Sequence, residues 1–571
     1  MLSLPRPLLD APSYRPPASM GTLARSVYSL RYAHTLAGGQ LETWAQVARR
    51  VAVNVLGAVQ APAAVVDALA RDIADRVLMP GGRYLAVAGL PRHQVQNCLL
   101  LRAEDTREGW GQLADEAARA LMTGAGVGVE YSDLRAEGSA LASSRGTASG
   151  PLPAMHIVNE IGRAAKSGGD RRGAIWAGLR WSHPDVPAFL AAKQWAPEIV
   201  ALKARDFTAP APFDHTNMSI VLDRAFFDAY ADPANPLHDR ARSVFWEALA
   251  LAVRTGEPGF SVDYVNARES LRNACTEITS EDNADVCNLA SVNLARIVDL
   301  DHFRAVLQRA TLFLLAGTVY SDVPFPRVAE VRARNRRLGL GLMGIHEWLL
   351  ARGHRYECVP ELRAYLSAYQ AVTGYAAEYA DALGLATPRG TRAIAPTGTI
   401  GIVAETTTGI EPIFAAAYLR RYLDGGRMIE RVVVDETARR LLAQGVPADA
   451  IEDSYSLARD PARRYGFQAE VQAYVDHAIA STVNLPAWGS AYNNADTLQA
   501  FGDQLLAVLP RLRGITFYPD GARSGQPLTS VPLAEALEAE GRAAVAYSMP
   551  VAEDPAPLDA CSIRGGESCG S

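Results

Sequence analysis

The chain has 571 residues, of which 49% are hydrophobic and 21% charged, a balance typical of globular proteins that excludes a disordered or fibrous chain. Its 56 Lys and Arg against 62 Asp and Glu give a net charge of −6, so no basic excess marks a nucleic-acid-binding surface. Six cysteines are too few for a disulfide scaffold, no secretory leader opens the sequence, and no apolar run reaches the roughly 18 to 20 residues that span a bilayer. The expected compartment is therefore the reducing cytoplasm, without membrane attachment.

The first 20 residues, with Pro5, Pro7, Pro12, Pro16 and Pro17, read as an arm. Leu41, Trp44, Val47, Ala48, Val51 and Val55 recur at helical spacing and predict a helix over 41–59. Trp110, Leu113, Ala117 and Leu121 predict a second over 107–123, ended by Gly124. Residues 94–101 and 127–131 read as buried strands. Further along, 217–222 and 392–395 read as strands and 303–320 as a long helix. This alternation predicts an α/β fold with mostly parallel strands. No fixed-period repeat and no long Gly/Ser linker divides the middle. The expected organisation is an N-terminal arm and helical region (1–95), one large core (96–548) and a flexible tail (549–571) carrying Cys561 and Cys569.

The sharpest cluster of chemistry-bearing side chains is Asn273-x-Cys275-x-Glu277. In an extended segment side chains alternate, so an amide, a thiol and a carboxylate would converge on one small substrate. For these five residues alone, a turn with one buried cysteine is the commoner reading.

Other blocks accompany them. Cys287-Asn288-Leu289-x-Ser291-x-Asn293-Leu294 follows; Gln96-Asn97-Cys98, Gly124-x-Gly126-x-Gly128, Arg171-Arg172-Gly173-Ala174, His183-Pro184-Asp185 and Asn217-Met218-Ser219 precede. Gly256-Glu257-Pro258-Gly259 also precedes, and Arg337 to Gly344, Ala395-Pro396-Thr397-Gly398-Thr399-Ile400, Gly409-Ile410-Glu411-Pro412, Thr482 to Pro486 and Tyr518-Pro519-Asp520-Gly521-x-Arg523 come later. In this order they resemble the catalytic chains of ribonucleotide reductases, from near residue 40 to the C-terminus.

The resemblance implies a ten-stranded α/β barrel of two five-stranded half-sheets around a central finger loop. It implies reduction of ribonucleoside di- or triphosphates to 2′-deoxyribonucleotides. Cys275 would be the thiyl radical that takes the 3′ hydrogen, Glu277 the base for the 3′ hydroxyl, and Asn273 a hydrogen-bonding partner of the sugar. An ionised Glu277 would need donors nearby rather than an apolar pocket. Cys98 and Cys287 would be the pair that delivers two electrons and becomes a disulfide, brought together on neighbouring parallel strands. Cys561 and Cys569 resemble the tail dithiol that re-reduces it, although their spacing is wider than the family's usual pairs. Asn97 and Gly126 would lie against substrate, and Pro396, Thr397, Gly398, Thr399 and Ile400 would hold its phosphates at a helix start. Gly169, Arg171 and Arg172 resemble the loop that reports a nucleotide effector. Cys358 matches no block and is expected to pack in the core. No metal site is expected among the side chains.

Three classes of the family differ in radical source. The C-terminal sequence does not resemble a glycyl-radical segment, Phe517-Tyr518 stands where the diiron class has adjacent tyrosines, and the family core begins almost at once, without an ATP cone. The expected cofactor is therefore adenosylcobalamin. The expected partners are a ribonucleotide substrate, a nucleotide effector, a thioredoxin-like or glutaredoxin-like reductant and a second copy in a homodimer. The alternatives are the large subunit of the diiron class and a non-catalytic nucleotide-binding regulator.

Overall fold

The computed structural model describes residues 20–548, apart from 142–144, 166–172, 207–208, 265–267, 425–426, 523–527 and 540–544. The chain divides into two compact units. Of the described residues, the larger comprises those up to 194, within 212–416 and within 435–522; the smaller comprises those within 195–211, within 417–434 and from 528 to 548.

The strands of the larger unit, in chain order, are β1 (Leu78–Pro80), β2 (Cys98–Arg102), β3 (Gly126–Glu130), β4 (Ile175–Arg180), β5 (Thr216–Asp223), β6 (Gly259–Asp263), β7 (Leu271–Arg272), β8 (Thr279–Ser280), β9 (Asp285–Asn293) and β10 (Leu338–Met343). The smaller unit contributes β11 (Ala417–Asp424) and β12 (Arg427–Val434), the larger adds β13 (Thr482–Leu485) and β14 (Gly514–Pro519), and the smaller ends with β15 (Leu528–Ser530) and β16 (Val545–Ser548).

Ten strands of the larger unit form one sheet in the order β1-β9-β2-β3-β4-β5-β6-β14-β13, with β10 beside β9. Strands β2 to β6 are five successive parallel neighbours. Two antiparallel junctions join this set to the rest, β2 with β9 and β6 with β14. Beyond the junctions, β9 and β10 run parallel, as do β13 and β14. The fold is thus α/β as expected, with the parallel strands in two sets of opposite sense.

Residues 390–394 lie between β10 and the approach to β13. Leu340 bridges Arg392 and Ile394 bridges Ile479, both in parallel sense. The segment read as a strand over 392–395 therefore makes isolated bridges rather than a continuous ladder.

The five parallel strands show why the sheet forms. Leu99, Leu101, Val127, Val129, Ile175, Ala177, Leu179, Ile220, Leu222, Phe260 and Val262 alternate along them and pack with the helices in one core. Side chains of a strand alternate between faces, so the residues between them, among them Cys98, Gly126, Gly128, Ser219, Ser261 and Asp263, belong to the opposite face. The six named are small or polar, Leu100, Trp176 and Val221 share their face, and it is this face that receives the loop between β7 and β8.

The helix predicted over 41–59 forms over Trp44–Gly57, started by a capping box between Thr43 and Gln46. The helix at Arg107–Met122 starts after Thr106, whose hydroxyl accepts the Gly109 amide. Strand β2 begins at Cys98 rather than 94 because the amides of Val95 and Gln96 donate to the Ser321 hydroxyl instead of a neighbouring strand. Cys358 is buried in the second large core, as expected for a packing residue, and burial raises its thiol pKa to about 11.

In the smaller unit, β15-β11-β12-β16 form a four-stranded antiparallel sheet, and Ala417, Val434 and Ala536 make its core with the helix Leu533–Glu538. The sequence reading had no counterpart for this sheet. Among the described residues, no helix is long and apolar enough to cross a membrane.

Candidate active site

The finger is the loop of a tight hairpin. Strands β7 and β8 pair antiparallel, Leu271 with Ser280 and Arg272 with Thr279, and residues 273–278 join them. The loop is not the extended segment that the alternation reading assumed. The Thr276 amide donates to the Asn273 carbonyl at 3.0 Å, and Thr276 has a φ of 71°. This turn, not strand alternation, brings Asn273 and Glu277 together. Asn273 Nδ2 donates to Glu277 Oε1 at 2.9 Å, while its Oδ1 accepts the Ile278 amide at 3.0 Å. Both side chains are buried, whereas Cys275 at the tip is exposed.

Cys98 and Cys287 are opposed residues of the β2–β9 ladder. Their strands run antiparallel, not parallel as the sequence suggested, because this contact falls at a junction between the two parallel sets. Directly opposed α-carbons in such a ladder are about 4.5 to 5.5 Å apart, inside the span a disulfide needs. Both are free cysteines and both are buried. They share a small apolar cluster with Leu100, Ala393 and the finger residues Leu271 and Ile278.

The Cys98 thiol donates to Glu277 Oε1 at 3.9 Å, so the cysteine pair and the finger are in direct contact. Burial raises both thiol pKa values well above the ordinary range; Glu277 adds to the rise at each and Asp285 at Cys287. Burial also pushes the Glu277 carboxyl up to about 7, against the pull of its hydrogen bonds from Asn273 and Cys98. Desolvation outweighs the nearby donors that the sequence reading relied on. The second oxygen, Oε2, is buried without a hydrogen-bond partner in the described structure, which leaves it able to accept a hydroxyl proton.

Two glycines of β3 make room for the finger. A Cβ on Gly126 would stand 2.9 Å from the Ala274 Cβ, and one on Gly128 would stand 1.8 Å from the Arg272 carbonyl oxygen. Gly126 also pairs with Cys98 in the β2–β3 ladder and donates its amide to the Asn97 carbonyl. Asn97 Oδ1 lies 3.9 Å from the Cys98 sulfur.

Two residues beyond Ala393 the chain enters the loop of Pro396 and Thr397, then the helix Gly398–Ala404. Thr397 has a φ of 51° and its hydroxyl accepts the Gly409 amide at 2.9 Å. The first turn bonds Gly401 to the Thr397 carbonyl, so the amides of Gly398, Thr399 and Ile400 stand at the open end of the helix. Pro396 and Gly398 are exposed. Gly169, Arg171 and Arg172 lie outside the described residues, as do Cys561 and Cys569.

A family model described as "Ribonucleotide reductase, barrel domain" matches residues 96–236, 234–392 and 384–506, which include the finger and both buried cysteines. The chain belongs to the ribonucleotide reductase barrel family. A relative from Mycobacterium tuberculosis (strain CDC 1551 / Oshkosh), named vitamin B12-dependent ribonucleoside-diphosphate reductase, is 29% identical over 79% of this chain and 71% of its own length. One of the same name from Thermoplasma acidophilum is 26% identical over 79% of this chain and 65% of its own length. A putative adenosylcobalamin-dependent ribonucleoside-triphosphate reductase of Mycobacterium phage D29 is 32% identical over 56% of this chain and 52% of its own length.

Beneath the finger of this reductase-family barrel lies a charged network that the motif reading missed. Glu269 accepts from Thr279 Oγ1 at 2.8 Å, Arg513 at 3.0 Å and Arg337 at 3.2 Å. Burial acts to raise its carboxyl, but Arg337, Arg513 and His477 outweigh it and hold the pKa down to about 2. His477 Nδ1 accepts the Thr279 amide at 3.3 Å, and Arg337 pairs with Asp285 at 2.6 Å. The network's one member among the quoted motif blocks was Arg337, which opens the block ending at Gly344.

Proposed function

We infer that this chain reduces ribonucleotides to 2′-deoxyribonucleotides with adenosylcobalamin as radical source. The observation that carries the reading is the meeting, in one buried cluster, of a finger bearing Asn273, Cys275 and Glu277 with a directly opposed pair of thiols. The names of relatives that align with about four-fifths of the chain favour the cobalamin class over the diiron class.

The residues present fit such a cofactor at one point. Cys275 is exposed while its two finger partners are buried, so a radical generated outside the core has a thiol to oxidise. Adenosylcobalamin, when bound, would supply the radical that oxidises the Cys275 thiol. As a thiyl, Cys275 takes the 3′ hydrogen atom of the ribose and later returns it. Glu277 takes the 3′ hydroxyl proton, and Asn273 holds the carboxylate and the sugar. The 2′ hydroxyl leaves as water. Cys98 and Cys287 together give up two hydrogens, one leaving in that water and one taking the place of the hydroxyl at C2′, and become a disulfide, while Glu277 returns its proton to the 3′ oxygen. Their raised pKa values suit this role, since the pair must carry its protons until the reaction draws on them.

The helix start at 398–400 supports phosphate binding, with Asn97 and Gly126 along the sugar. Cys561 and Cys569, served by a thioredoxin-like or glutaredoxin-like reductant, would return the pair to dithiol. Gly169, Arg171 and Arg172 would report a nucleotide effector in a homodimer. The deciding assay adds adenosylcobalamin, a dithiol and a ribonucleoside di- or triphosphate to the purified chain. Deoxyribonucleotide should form, and Cys275→Ser should abolish it while nucleotide binding persists. Turnover only with a diiron partner chain would overturn the cobalamin assignment.

A further inference from the structure

Arg272 immediately precedes the finger and is fully buried, yet its guanidinium does not reach the proposed reacting groups. It gathers backbone carbonyls from separate segments instead. Nη1 donates to Glu269 and to Leu271, the latter at 3.0 Å; Nη2 donates to Val262 of β6 at 2.9 Å and to Arg513, next to β14, at 3.4 Å. Its own carbonyl rests against Gly128 of β3. One residue thus ties the finger base to both strands of the β6–β14 junction, while Glu277 touches Cys98 at the β2–β9 junction.

Asp263, the last residue of β6, is the counter-charge. It lies 3.8 Å from Arg513, and Arg272 and Arg513 both oppose the upward push of burial on its carboxyl, which sits at about 6. Both its oxygens lack hydrogen-bond partners in the described structure. Asp263 therefore balances the buried cations without competing for the donors that hold the carbonyls.

We propose that Arg272 is a positioning residue that sets how far the finger carries Cys275 and Glu277 toward the Cys98–Cys287 pair; this rests on the function inferred above. A guanidinium spreads its donors in a rigid plane, whereas the ammonium of lysine is a compact point charge. Arg272→Lys keeps the charge opposite Asp263 and loses the fork across the junction. A shift of about 1 Å in a reacting group costs on the order of 100-fold in rate.

The test compares the full-length chain with Arg272→Lys and Arg272→Met. In the lysine variant kcat should fall by about 100-fold while KM for the nucleotide stays within about twofold. Alkylation of Cys275 by iodoacetamide, followed by mass spectrometry, should change by more than about fivefold. Diamide oxidation of Cys98 and Cys287, which β2 and β9 hold opposite each other, should change less than the Cys275 alkylation even as Glu277 shifts against Cys98. A folded lysine variant with wild-type kcat and wild-type alkylation overturns the proposal. So does a parallel change in kcat, KM and diamide oxidation, which marks general damage to the fold. If Arg272→Met does not fold, the lysine variant alone decides. If the wild-type chain has no turnover, the reductase reading fails, and the alkylation and diamide arms still decide the anchoring role.

Discussion

Glu277 carries two opposing demands. As the proposed base it acts only when ionised, yet burial raises its pKa to about 7. For the free enzyme, kcat/KM should therefore climb about tenfold per pH unit below 7 and level off above it. Stability runs the other way. The folded pKa lies above the ordinary value of 4.5, so between these pH values the folded chain holds a proton that the unfolded chain has released. The stabilising contribution is complete below about pH 4.5 and is lost as pH rises through 7, by at most about 3 kcal/mol. Glu277→Gln keeps the carbonyl that accepts from Asn273 and removes the titration. It should abolish turnover yet raise the thermal midpoint at pH 8, with little change at pH 5. Equal midpoints for the two proteins at pH 8 would count against a desolvated carboxyl.

Among the elements, the finger and β3 are fitted to each other through backbone. An alanine at 128 would drive its Cβ into the Arg272 carbonyl, and backbone cannot swing aside as a side chain can. Gly128→Ala should cost at least about 3 kcal/mol and remove activity. Gly126→Ala meets only the Ala274 methyl at 2.9 Å and should cost less. Urea unfolding of the two variants measures the difference. Much of this level was legible in the sequence. The helix Trp44–Gly57 and the strand Thr216–Asp223 follow from apolar spacing, and the order of motif blocks pointed to the barrel and its finger. The two-residue strands β7 and β8 were not legible, because two residues carry no periodicity and Asn-x-Cys-x-Glu reads equally as a strand. The antiparallel setting of Cys98 and Cys287 was hidden too, since strand direction across 189 residues depends on the whole topology. Buried charges such as Arg272 and Asp285 defeat composition, because each is tolerated only through partners distant in sequence.

At the scale of the whole molecule, the Cys98–Cys287 pair spans a junction between the two parallel sets of strands. Oxidation would close a loop of 189 residues, which in the chain-entropy model stabilises the folded state by about 5 kcal/mol. The diamide-oxidised chain should therefore unfold at higher urea than the reduced chain, and Cys98→Ser should show no such difference. Each proposed turnover would then leave the chain harder to unfold until reductant reopens the loop.

The segment 390–394 is joined differently from the strands around it. Between β10 and the approach to β13 it makes isolated bridges, whereas the ladders of β3, β4 and β5 run unbroken. It is still bonded on both sides: the Ala393 amide donates to the Leu340 carbonyl at 3.1 Å, the Ile394 amide to the Ala478 carbonyl at 3.2 Å, and the Ala480 amide to the Ile394 carbonyl at 2.9 Å. Ala393 belongs to the apolar cluster of Cys98 and Cys287 and lies just ahead of the loop proposed to hold phosphate. One short run of backbone thus joins the cluster of the reducing pair to the proposed phosphate loop, so a nucleotide held there by its phosphates would lie against the same run that lines the thiols.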